Sequence, residues 1–139
     1  MSAVSLVQDH LLAVYQDQKR LLLIFAPSST QADYEQQHTL LRGHEAACEE
    51  RDLLVFHLFA DGISYAGEVQ VDAQSTADLR RHFDIARRAF HLVLIGKDGG
   101  VKWQAAQPTP LAQIFEIIDR MPMRQQEMRA AREKEVTHE

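Results

Sequence analysis

The chain has 139 residues, with 15 Lys/Arg against 20 Asp/Glu, a formal net charge of −5 and 45% hydrophobic content. That is one ordinary globular domain's length and composition, which argues against a disordered chain, and the acidic balance without a Lys/Arg block argues against duplex DNA or RNA as a partner. A single cysteine, Cys48, excludes an intramolecular disulfide, a CxxC redox pair and a Cys-rich zinc site.

The opening MSAVSLVQDHLLAVYQDQKR lacks the charged n-region, long apolar h-region and cleavage site of a secretory signal. The expected location is the cytoplasm, although an exported chain whose leader had been removed would read the same. The longest apolar run, Leu21 to Pro27, is far shorter than the roughly 20 residues of a spanning helix, so no membrane span is expected.

In chain order, Val4, Val7, Leu11, Val14 and Tyr15 form a helical stripe. RLLLIFA (Arg20 to Ala26) is a continuous apolar run, the pattern of a strand buried on both faces. Ser28, Ser29 and Thr30 then supply cap candidates for a helix through Gln31 to Arg51. Asp52 to Phe59 reads as a second buried strand, and Ala60 to Asp72, with Gly62 and Gly67, as a loop or small hairpin. Ser75 to Phe83 is a short helix with Ser75 as its cap. Phe90 to Ile95 is a third strand, and Asp98-Gly99 signals a hairpin returning through Val101 to Gln104. Thr109-Pro110 reads as a cap with proline at the first helical position, followed by a complete stripe of Leu111, Ile114, Phe115, Ile118 and Met121. Pro122 ends that helix. The charged tail beyond it reads as helical but weakly anchored.

A helix, then β-α-β, α and β-β-α is the thioredoxin-like order. The expected fold is α/β and thioredoxin-like: a four-stranded mixed core sheet in the order second, first, third, fourth, flanked by helices. An extra N-terminal helix and a C-terminal helical tail complete it. The expected organisation is a single domain over 1–139, with its core at about 20–121 and the tail at 122–139.

The segments RLLLIFAPSS, LLRGHEAACEERDLLVF, FHLVLIGKDGGVKW and IFEIIDRMPMRQQEMR, spanning Leu21 to Arg129, resemble the DUDES-type domains. That thioredoxin-like family, without assigned biochemistry, includes bacterial single-domain proteins and repeats of a secreted animal matrix protein down-regulated by oncogenes. VLIGKDGGVK and DRMPMRQQEMR carry the resemblance most specifically. It implies a thioredoxin-like fold and no particular activity.

Thioredoxin-like enzymes place a cysteine in the loop after the first core strand, where a helix N-terminus lowers its pKa. Here that loop is Pro27-Ser28-Ser29-Thr30-Gln31, without a thiol, and the segment Arg87-Arg88-Ala89-Phe90-His91 before the third strand has no proline to face it. Dithiol exchange is therefore not expected. Cys48 shares a helical face with Tyr34 and Leu41 and reads as a small buried hydrophobe, with a single-cysteine, peroxiredoxin-like oxidoreductase as the alternative. His44 and Cys48, four apart beside Glu45 and Glu49, make half a metal site, and His57 and His91 could approach across the sheet; no metal or other cofactor is expected.

Ser28, Ser29 and Thr30 at a helix start, with Arg87, Arg88 and His91 nearby, could instead hold a small anion. No His/Asp partner pattern or Gly-x-Ser-x-Gly elbow makes these serines nucleophiles. Met121, Met123 and Met128 beside Arg124 and Arg129 read as a helix end packed on its own domain, or else as an adaptable interface. The leading expectation is a redox-inactive binding or interaction module. Its partner would be a protein or a small anionic ligand.

Overall fold

The structure, a computed structural model, describes residues 11–137. Among these the chain forms β1 (Arg20–Ala26), α1 (Ala32–Leu41), α2 (Glu45–Glu50), β2 (Leu53–Phe59), β3 (Ser64–Ala66) and β4 (Val69–Val71). It continues through α3 (Ala73–His82), β5 (His91–Ile95), β6 (Val101–Ala105), α4 (Leu111–Asp119) and α5 (Pro122–Thr137). Residues 11–15 are helical as well; Val4 and Val7 of the expected N-terminal stripe lie outside the described residues.

The strands make one mixed sheet in the order β4-β3-β2-β1-β5-β6. β1 runs parallel to β2 and antiparallel to β5, and β6 returns antiparallel to β5. The expected order second, first, third, fourth is present as β2-β1-β5-β6, but the sheet has six strands rather than four. The added pair, β3 and β4, comes from the stretch read as a loop or small hairpin. Gly67, at φ +60°, turns the chain between them. The strands are too short for a period-two pattern to be visible.

Every residue of β1 is buried, as its unbroken apolar run requires. Alternation sends Leu22, Ile24 and Ala26 to one face, under Tyr34 of α1 and the Leu111, Ile114 and Ile118 stripe of α4. Leu21, Leu23 and Phe25 go to the other, under Leu79 of α3, Leu11 and Tyr15. The same parity places His57 on the α1 face, while His91, opposite Phe25 in the register, belongs to the other. The two histidines cannot share a ligand, contrary to the possibility left open by the sequence.

Helix ends depart from expectation in instructive ways. Gly43, at φ +82°, breaks the single helix expected over Gln31 to Arg51 into α1 and α2. The cap of α1 is Gln31, whose Oε1 accepts from the Tyr34 N–H at 2.9 Å; Ser28 and Thr30 bond one another at 3.2 Å instead. Asp72, not Ser75, caps α3, accepting from the Ser75 N–H at 2.7 Å. Thr109 does not cap α4, because its hydroxyl donates to the Gln107 carbonyl. Buried Gln37 takes both backbone groups of Thr109, donating to its carbonyl at 3.0 Å and accepting from its N–H at 2.8 Å. One side chain of α1 thus fixes where α4 begins.

The tail is anchored, contrary to the sequence reading, and the anchor is ionic. Glu127 of α5 accepts two hydrogen bonds from Arg20, each at 3.1 Å, and one from Lys97 at 2.7 Å. Arg124, which is 4% exposed, reaches Asp119 and Glu50. No described helix is long and apolar enough to cross a membrane.

Candidate functional site

The α1 face of β2 carries the site that the fold assembles most completely. On α1, Tyr34, His38 and Leu41 follow helical spacing and look down on the sheet. On β2, Leu53, Val55 and His57 lie on the facing side. β3 sets Tyr65 directly opposite His57 in the register, and the two rings stack with centroids 4.4 Å apart and planes within 15°. Between the strand and the α1–α2 hinge runs a groove of about 550 Å³, walled by Leu41, Val55, Cys48, His57 and Tyr65, with Arg42 and Glu45 among its charged residues.

Its polar heart is a chain of three side chains. Tyr34 Oη lies 2.8 Å from His57 Nδ1 and 3.4 Å from Tyr65 Oη, with His38 next to His57 at 6.3 Å between ring centroids. Burial, then the neighbouring His38, pushes the His57 pKa down to about 4, so the ring is neutral at neutral pH. Burial, then the bond and charge of Tyr65, pushes Tyr34 up, so its hydroxyl keeps its proton. Neutral His57 donates to or accepts from Tyr34 through Nδ1 according to its tautomer, and Nε2 takes the opposite role.

Unfolded histidine takes its proton near 6.5 whereas folded His57 resists until about 4. The unfolded state therefore binds more protons between those values, and stability falls as pH drops through that window. Its full contribution, present above pH 6.5, is lost by about pH 4, a change of up to about 3 kcal/mol. Denaturant melts at pH 7 and pH 4.5 should lose that increment in His57→Phe; an unchanged difference would mean that His57 is not the group responsible.

Cys48 packs partly buried against the core cluster of Tyr34, with Leu41 beside it, so the shared face is real although the residue is half-buried rather than sealed. Burial first, then Glu45, pushes its thiol up against the opposing charge of Arg51. Arg51 is itself held by Asp119 at 3.0 Å and by the Ala47 carbonyl. Arg51 alone favours a thiolate, and burial and Glu45 outweigh it. His44 starts α2 with its ring edge-on to Phe115 at 6.1 Å, and among the described residues no group of three His, Cys, Asp or Glu is placed to hold a metal.

At the other end of β1, Ser29 and Thr30 are exposed and Ser28 is half-buried. Arg87 reaches this end but is paired with Asp61 at 2.6 Å, and the Asp61 N–H in turn donates to the Pro27 carbonyl. His91 bonds Gln104 at 2.8 Å, and Arg88 is exposed. Of the two guanidinium groups expected to attract an anion, that of Arg87 thus already has a carboxylate. Tyr34, His38 and Tyr65 escaped the sequence reading as site residues, since they come from a helix and a three-residue strand with no motif linking them. The available signal was His57, a histidine inside an apolar strand.

Residues 11–127 match the family model described as "Domain of unknown function (DUF4174)". The chain is 33% identical over 106 residues to Sushi repeat-containing protein SRPX2 of Xenopus laevis, covering 74% of this chain and 23% of that protein. It is 28% identical over 136 residues to Coiled-coil domain-containing protein 80 of Danio rerio, covering 86% and 16%. The human SRPX2 is 27% identical over 127 residues, covering 89% and 27%. The chain thus spans about a quarter or less of the length of these relatives. The resemblance read from sequence, to a domain without assigned function that recurs in larger animal proteins, agrees with these matches, and the chain belongs to the DUF4174 family.

Proposed function

We propose that this is a thioredoxin-like domain that has no thiol–disulfide chemistry and works by non-covalent binding in the groove between α1, α2 and β2. The order β2-β1-β5-β6, with β1 and β2 parallel and the other two pairings antiparallel, supports the fold reading. The observation that carries the function is the groove itself: apolar walls with a few fixed polar groups, the composition of a recognition site. Neutral His57 and protonated Tyr34 suit hydrogen bonding to an uncharged partner group rather than proton transfer. A protein partner is the reading to test, because the domain is similar to segments of much longer chains.

Two measurements test this. A chromogenic disulfide reagent should label Cys48 slowly in native protein and rapidly in denaturant, and peroxide consumption should be the same in Cys48→Ala. Fast native labelling with Cys48-dependent peroxide turnover would replace the binding reading by a single-cysteine oxidoreductase. In parallel, Leu41→Arg in the groove should abolish capture of a partner from a homologous extract, while Val101→Arg on the far edge strand should leave it intact. Equal capture by both variants would move the site elsewhere.

A further inference from the structure

A second cavity, of about 330 Å³, lies between the β5–β6 turn and the joint of α4 with α5, and shares no lining residue with the groove. VLIGKDGGVK and DRMPMRQQEMR, the two segments singled out in the sequence, supply all of its lining except Arg20 and Ile117. Arg20, Lys97, Lys102 and Arg120 line it against a single carboxylate, Asp98. We propose that this cavity binds a small organic anion, an oxyanion head carried on a compact apolar body.

Behind the lining, Glu127 pairs with Arg20 and Lys97, and Asp52 with Lys97, so what the cavity offers a ligand is unused N–H groups rather than an excess of charge. Lys97 uses two of its three N–H groups, on Asp52 and Glu127, and Lys102 uses one, on Asp98. Asp98 is occupied by Lys102 and by the Gly100 N–H. The Arg120 guanidinium has only a loose approach to Glu116 at 3.8 Å and is 79% exposed, free to swing over the mouth. Beneath them Arg20 is fully buried, its terminal nitrogens held by Glu127 and the Arg51 carbonyl while its Nε has no partner. α5 begins at Pro122, which has no N–H to offer, and its first turn, with Met123, borders the cavity, so the positive end of the helix dipole faces it. Ile117, Met121 and Met123 supply the apolar part of the lining, and methionine adapts readily to a ligand's shape. Charged donors select the head and the apolar lining selects the body, so a bare inorganic anion would satisfy only half of the site.

Backbone amide shifts in the full chain, titrated with phenyl phosphate, benzoate and benzyl alcohol at constant ionic strength, test this. Phenyl phosphate or benzoate should give saturable shifts at Gly96–Lys102 and Met121–Gln125, and the tighter of the two identifies the head as phosphate or carboxylate. Benzyl alcohol should give none. Both substituted side chains are on the surface, so the double variant Lys102→Gln, Arg120→Gln should fold normally and bind about tenfold more weakly. Arg87→Gln, at the opposite end of β1, should bind as the parent does. Any of three results overturns the proposal: no saturable shift with either anion, equal binding by benzyl alcohol, or full affinity in the double variant. Because the groove contributes nothing to these readouts, they stand or fall apart from it.

Discussion

Ile114→Ala should destabilise the protein by about 2–5 kcal/mol, read as a lower urea midpoint with an unchanged slope. Ile114 and Ile118 are fully buried on the side of α4 that faces Leu22 and Ile24 of the central strand. Truncation removes apolar contacts and leaves a space that a strand hydrogen-bonded on both sides cannot collapse to fill. Ile118→Ala should behave alike, whereas Gln113→Ala, on the exposed side of the same helix, should change stability by less than about 0.5 kcal/mol. A loss under about 1 kcal/mol at Ile114 would make α4 a peripheral helix and undo the two-faced core described above.

What was legible in the sequence were the features that repeat over enough residues to show a period. RLLLIFA announced the central strand because both of its faces are covered. Asp98-Gly99 announced the β5–β6 turn, where Gly99 takes φ +85°. The α4 stripe announced its own burial. The cap of α1 was missed because glutamine is outside the usual short capping side chains, yet its longer arm reaches the same N–H. The tail was misread for a related reason. Its inward side is made of Arg124 and Glu127, three apart, and a scan for apolar periodicity takes charge for solvent. The groove cluster was least visible of all. Tyr34, His57 and Tyr65 meet only because β2 alternates, α1 crosses above it, and a hairpin hidden between Gly62 and Gly67 returns alongside. The strand and the helix were readable, whereas the hairpin stood only as one of two readings of Ala60 to Asp72.

Glu127→Ala should cost about 3 kcal/mol and release α5 from the domain. Arg20 has 1% of its side chain exposed and depends on Glu127 for two of its bonds; the Arg51 carbonyl at 2.7 Å would be the one that remains. A buried guanidinium left without its carboxylate retains its desolvation cost and loses the attraction that offset it, which is the situation measured at about 3–5 kcal/mol for broken buried pairs. Glu127 is itself 27% exposed, so water can enter where it stood, and the lower end of that range applies. Lys97 fares better, since Asp52 stays at 2.8 Å. The pH dependence has a definite sign. Burial pushes the Glu127 carboxyl up, but bonds and charge from Arg20 and Lys97 outweigh it and hold the group below its ordinary 4.5. Stability from this group is therefore complete above pH 4.5 and disappears as pH falls through the lower folded value. Glu127→Gln should remove that part of the acid transition while Asp119, also held low by Arg51 and Arg124 despite its burial, keeps the rest. Replacing both partners, as Arg20→Met with Glu127→Leu, should recover much of the loss, because two apolar groups carry no desolvation debt. Faster amide exchange throughout 122–135 in Glu127→Ala, restored in the double replacement, would establish that this ion pair fastens the helix; unchanged exchange would mean that Arg124 holds it alone.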